Sequence, residues 1–102
     1  MLESNKVGDM VMVKIGTSCL DAAFAGDFQS QMTEIVETGE RHFVLDMSDV
    51  EHIDSDGLSA IVGLQKLVGR AGTVELTGVS GSVMKVFKLT RVHQTLLINQ
   101  AA

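Results

Sequence analysis

The chain has 102 residues, a hydrophobic fraction of 45%, and 13 acidic against 8 basic side chains, for a net charge of -5. That length holds one small core, the apolar share is too high for a disordered chain, and the acidic balance argues against general nucleic-acid affinity. The single Cys excludes an internal disulfide framework and fits a reducing compartment, and no apolar run approaches the ~20 residues that cross a membrane.

Residues 1–10, MLESNKVGDM, lack the basic start and apolar middle of a secretion signal, so the expectation is a cytoplasmic single domain over residues 1–102. They also leave little room for a strand before Met10. From Met10 to Ile15 side chains alternate between two faces and Val is frequent, which predicts a strand. Gly16-Thr17-Ser18 reads as a turn. Phe24, Phe28, Met32 and Ile35 then recur at helical spacing, with Asp21 placed to cap that helix and Gly39 to stop it. His42 to Met47 is an apolar run suited to a strand buried on both faces.

A polar stretch, Ser48 to Asp56, precedes a second helix with Leu58, Ile61, Val62, Leu64 and Val68 on its apolar side. Ser59, Gly63 and Lys66 mark the opposite side, and Gly69 and Gly72 end the helix. Thr73 to Thr77 alternates as a strand. Ser80 or Ser82 can cap a third helix carrying Val83, Val86, Phe87 and Leu89, and Thr95 to Ile98 is a last strand. With no Pro, Trp or Tyr in the sequence, the four Phe read as core. Strands alternating with helices over short connections predict an α/β fold, a mostly parallel central sheet of four to five strands with packed helices.

Charge is divided unevenly. Residues 1–56 hold twelve acids and three bases, and residues 57–102 one acid and five bases. Residues 46–56 alone contain five acids and no Lys or Arg. Ligands and partners of such sheets usually meet the loops beyond the carboxyl ends of the strands, and this acidic loop is one of them. Its local pattern admits a plain reading, in which Ser55 or Asp56 is a helix N-cap and Gly57 lets the chain turn. It also admits a switch: phosphate on Ser55 adds about -1.5 to -2 charges, welcomed by a helix N-terminus and repelled by Asp54 and Asp56.

The run FVLDMSDVEHIDSDGLSAIVGL (43–64) resembles the central motif of the STAS domain, the fold of bacterial anti-sigma factor antagonists, and the order of elements fits from Met10 to Ile98. In that family a strand ends in apolar-Asp, and after a loop Asp-Ser-(Ser or Thr)-Gly-Leu opens a helix. Here residues 54–58 are Asp-Ser-Asp-Gly-Leu. The resemblance implies that Ser55 is the phosphorylated serine. It further implies that the unphosphorylated protein binds an anti-sigma factor that is also a serine kinase, freeing the sigma factor. Phosphorylation then ends binding, and a metal-dependent serine phosphatase resets it. The family's Gly-x-Leu-Asp turn is matched by Ser18-Cys19-Leu20-Asp21 at Leu20 and Asp21. The expected partner surface is therefore Asp21, Asp54, Ser55, Asp56, Gly57, Ser59, Gly63 and Lys66. Asp56 stands where the family has Ser or Thr, and the chain stops at Ala102 where many members continue into another helix, as a truncated or minimal member would.

Other chemistries fit poorly. Cys19 with His42, His52 or His93 lacks a nucleophile signature, and a lone Cys near a strand end reads as a small core residue. His52, Asp49 and Asp54 on one loop are weak metal-ligand evidence. No Gly-rich phosphate loop is present. Asp46 at a strand end suggests a phospho-acceptor receiver, but acids after the first strand and a Lys after a late one are missing. The expectation is a non-enzyme without cofactor or metal, monomeric by preference, binding neither nucleic acid nor the membrane interior. The alternative is a STAS module that binds without switching, in a signalling scaffold or a transport complex.

Overall fold

In the computed structural model, which describes residues 2–91 and 96–100, the described residues form seven strands, three α-helices and one turn of 3-10 helix at Gly69–Ala71. Strand β2 (Met10–Ile15) buries Val11, Val13 and Ile15 on one face, as its alternation requires. It pairs in parallel with β4 (His42–Asp46), β4 with β6 (Thr73–Val79), and β6 with β7 (Leu97–Gln100). Both Phe43 and Leu45 on one face of β4 and Val44 on the other are buried. Thr95 and His93 lie outside the described residues.

A further strand, β1 (Leu2–Val7), pairs antiparallel with β2 and completes the order β1-β2-β4-β6-β7. The sequence leaves little room for it. Five of its six residues are exposed, so it has no apolar alternation to detect. Its support is the ladder with β2, closed by a two-residue Gly8-Asp9 turn in which Gly8 has φ +61°, a backbone that glycine adopts without steric penalty. Lys6 adds an ion pair to Glu40 at 2.9 Å, and that carboxylate raises the Lys6 pKa above its ordinary value.

Helices α1 (Ala22–Glu37), α2 (Ser55–Val68) and α3 (Gly81–Leu89) all join one core with a single face of the sheet. Phe24, Phe28, Met32 and Val36 form the buried stripe of α1, with Val36 in place of the expected Ile35, which is only partly buried. On α2 the buried residues include Leu58, Ile61, Leu64 and Val68, while Val62 is half-buried. Ser80 caps α3 by accepting from the Val83 amide at 3.3 Å. Leu89, expected to be apolar core, is 84% exposed, because the helix ends there and no described element covers its last turn. At the end of β6 a bulge between Thr77 and Val79 shifts the register. It is built on Gly78, at φ +68°, whose Cα packs against Ser48 closely enough that a Cβ would sit 3.0 Å from the Ser48 Cβ. The bulge turns Val79 into the core. No helix among the described residues is long and apolar enough to cross a membrane.

Candidate functional site

Two strands of two residues each, β3 (Cys19–Leu20) and β5 (His52–Ile53), form a separate parallel ladder, with Cys19 opposite His52 and Leu20 opposite Ile53. The Ser18 carbonyl accepts from the amides of Glu51 and His52 at 2.8 and 2.9 Å, and the Leu20 carbonyl accepts from the Asp54 amide at 3.1 Å. These bonds tie the segment before α1 to the segment before α2. Leu20 is buried beneath the ladder and Ile53 nearly so, whereas Cys19 and His52 face outward. Cys19 is thus an exposed thiol, not the small core residue expected.

Each segment ends in an aspartate that caps a helix. Asp21 accepts from the Phe24 amide at 3.1 Å. Asp54 accepts from the amides of Asp56 and Gly57 at 2.9 and 3.0 Å. The cap of α2 is therefore Asp54, and not Ser55 or Asp56; its carboxylate is close enough to the helix start to take two otherwise unpaired donors. Ser55 becomes the first helical residue, exposed beside the exposed Asp54 and Asp56. Replacing Asp54 by Ala is expected to lower folding stability by about 1 kcal/mol, measured by urea denaturation, and Asp54→Asn to recover most of that loss.

Gly57 is buried. A Cβ at that position would run into the Leu20 carbonyl oxygen and lie 2.7 Å from the Leu20 Cβ. Its place is against the β3 backbone, where its lack of a side chain lets α2 seat on the ladder, and it offers no side-chain surface of its own. Beyond it, Ser59 and Lys66 are exposed along α2 and Gly63 is half-buried. Gly63 lies in a groove of about 190 Å³ between α1 and α2, lined among others by Phe28, Gln29, Ala60 and Leu67. Leu67 is 46% exposed. Its apolar character one residue after Lys66, on the polar side of the helix, is the mark of this groove in the sequence; Cys19 and His52 carry none.

The five acids of residues 46–56 do not form one cluster. Asp46 turns back to accept from the Ser48 amide at 3.0 Å, and the Ser48 N–H and hydroxyl hold its carboxyl below the usual aspartate range. Asp49 lies 4.0 Å from Lys14 at the end of β2. The acids that accompany Ser55 are Asp54 and Asp56, with Asp21 on the adjoining segment. No group of three or more His, Cys, Asp or Glu that could hold a metal ion occurs among the described residues.

The fold has close counterparts. A candidate anti-sigma factor antagonist from Thermotoga maritima is 25% identical and superposes with a TM-score of 0.90, over 99% of this chain and 86% of its own. SpoIIAA of Bacillus superposes with a TM-score of 0.77 in both its unphosphorylated and phosphorylated forms, at 16% identity, over 100% of this chain and 90% and 92% of theirs. A sulfate transporter family protein from Wolinella succinogenes gives 0.74 at 20% identity, over 92% of this chain and 80% of its own. No curated protein matches the sequence. The sequence matches the STAS domain over residues 2–101, and with the mixed five-stranded sheet, its one helical layer and the Asp54-Ser55 helix start, the chain belongs to the STAS domain family.

Proposed function

We propose that the chain is an anti-sigma factor antagonist that works in the cytoplasm by binding and not by catalysis. Its unphosphorylated form holds an anti-sigma factor that is also a serine kinase, which frees the sigma factor. Phosphorylation of Ser55 ends that complex, and a metal-dependent phosphatase restores it. The docking surface comprises Asp21, Asp54, Ser55, Asp56 and the outer side of α2 at Ser59, Gly63 and Lys66, with Gly57 supporting it from beneath.

The observation that carries this reading is the cap. Because Asp54 already occupies the amides of residues 56 and 57, a phosphate on Ser55 does not find them free, and the welcome expected from the helix terminus is reduced. The phosphate stands instead in solvent between two carboxylates. It leaves the ladder beneath unchanged and makes the surface more negative by nearly two charges. Like charges brought together across an interface cost several kcal/mol, so phosphorylation is expected to weaken the complex at least ~100-fold.

The test is the complex isolated from native cells through a tagged chain, with phosphopeptide mass spectrometry at Ser55 and dissociation followed on adding ATP. Ser55→Ala is expected to bind and to remain bound. ATP-driven release of the Ser55→Ala complex would overturn the switch. Asp56, an acid where a Ser or Thr is usual, favours a second reading, a module that binds constitutively. In that case the partner co-purifies in fixed proportion whatever stands at position 55, and Ser55 carries no phosphate under any growth condition.

A further inference from the structure

All three helices cover the same side of the sheet, and no described element covers the other. Six large apolar side chains are exposed among the described residues, and four of them, Val7, Met10, Met12 and Leu97, lie on this second side. At its centre Val44 is buried yet stands apart from the core that the helices share. The register places Met12 beside Val44, Val44 beside Glu75 and Glu75 beside Leu97, a row running across the sheet. One step toward the carboxyl ends of the strands, Lys14 stands beside Asp46. Apolar patches of this kind on small soluble chains mark contact surfaces.

We infer that this face packs against the same face of a second copy, as an aligned two-sheet sandwich with the two-fold axis along the strands between β2 and β4. That axis lays β2 of one copy over β4 of the other without reversing either. Met12 then meets Val44 of the second copy, and Lys14 meets Asp46 at the same level, each contact occurring twice as an isologous interface requires. The face is self-complementary in both apolar and charged positions. An axis between β1 and β2 would pair Lys14 with Glu3 instead, but it overlaps only two strands of each copy, where the axis between β2 and β4 overlaps four. Glu3, Asp46 and Asp49 at one end of the face and Glu75 in its middle disfavour an anionic lipid surface.

Strand spacing and rise over the four overlapped strands give about 350–400 Å² per copy, roughly 700–800 Å² in total, which is below the ~1,000 Å² at which specific interfaces begin and in the range of transient contacts. The dimer is therefore reversible and weak. It leaves α2 and the Ser55 segment outward on both copies, and it does not depend on the switch proposed above.

Sedimentation of the full chain from ~5 μM to ~1 mM spans the range expected of so small an interface. The weight-average mass is expected to climb from 10.9 kDa toward twice that value. Met12→Glu and, separately, Val7→Glu are each expected to raise the dissociation constant more than tenfold, with circular dichroism unchanged, while Lys66→Glu on α2 leaves it as it was. Lys14→Asp should weaken the dimer also. A chain that remains at the monomer mass throughout would overturn the inference and assign the face to a helix or strand of another protein. So would a dimer that Lys66→Glu breaks and Met12→Glu does not.

Discussion

Gly57→Ala is expected to destabilise the fold by about 3 kcal/mol, at the high end for over-packing, although alanine is the better helix former by about 1 kcal/mol. The added methyl meets the Leu20 backbone, carbonyl oxygen included, and that oxygen is already bonded to the Asp54 amide. A flexible side chain would swing away; a ladder carbonyl does not. Relief comes only by lifting the start of α2 from β3, which also strains the bond between the Leu20 carbonyl and the Asp54 amide. Urea denaturation measures the loss, and Gly63→Ala is the control. There the new Cβ would sit 3.7 Å from Gln29 Nε2, ordinary contact, so the helix preference should show as neutral to slightly stabilising. Equal midpoints for the two variants would mean that the close approach at Gly57 is not what holds the two segments together.

Phe28→Ala is expected to lose about 3–5 kcal/mol. Phe28 is fully buried in the middle of α1, its ring centroid 5.4 Å from that of Phe24, and it lines the groove toward α2. Against the ~5–15 kcal/mol that holds a domain together, this is a large share. For a chain near 100 residues each kcal/mol moves the melting midpoint by roughly 4–8 °C, so a drop of at least ~12 °C is expected in a thermal scan. Leu89→Ala, 84% exposed, should stay within about 0.5 kcal/mol of the parent. A Phe28→Ala protein melting near its parent would show that α1 contributes little to the core.

Much of the fold was legible because the buried side chains repeat at the period of their element. Phe24, Phe28 and Met32 announce α1, Val11, Val13 and Ile15 announce β2, and Asp21 and Ser80 stand at caps where their oxygens are needed. What was not legible lacks a repeat of its own. Strand β1 exists through pairing with β2, and its only mark in the sequence is Gly8-Asp9 between two short runs, a hairpin signal. Cys19–Leu20 and His52–Ile53 are too short for any periodicity and become strands only when brought together. The start of α2 lies one or two residues earlier than the pattern suggests, because Asp54, Ser55 and Asp56 are all competent caps. Leu89 was assigned to the core because the helical period was carried through its last turn. At the candidate site, the residue types were readable at Asp21 and residues 54–57, but the acids of residues 46–56 looked like one cluster until the Asp46 turn and Lys14 separated them.

The β3–β5 ladder has a consequence for how recognition can diverge among relatives. Under the proposed docking role, a partner reads residues 18–21 and 51–57 as one epitope, joined by the bonds from Ser18 and Leu20 to Glu51, His52 and Asp54. A substitution in either segment is felt by its neighbour through the shared backbone and the tight seat of Gly57. Exchanging one segment alone with that of a related chain would pair mismatched halves, whereas moving both together transfers a working surface. Partner choice is then inherited as a pair of segments more than thirty residues apart in sequence, and drift in one is constrained by the other.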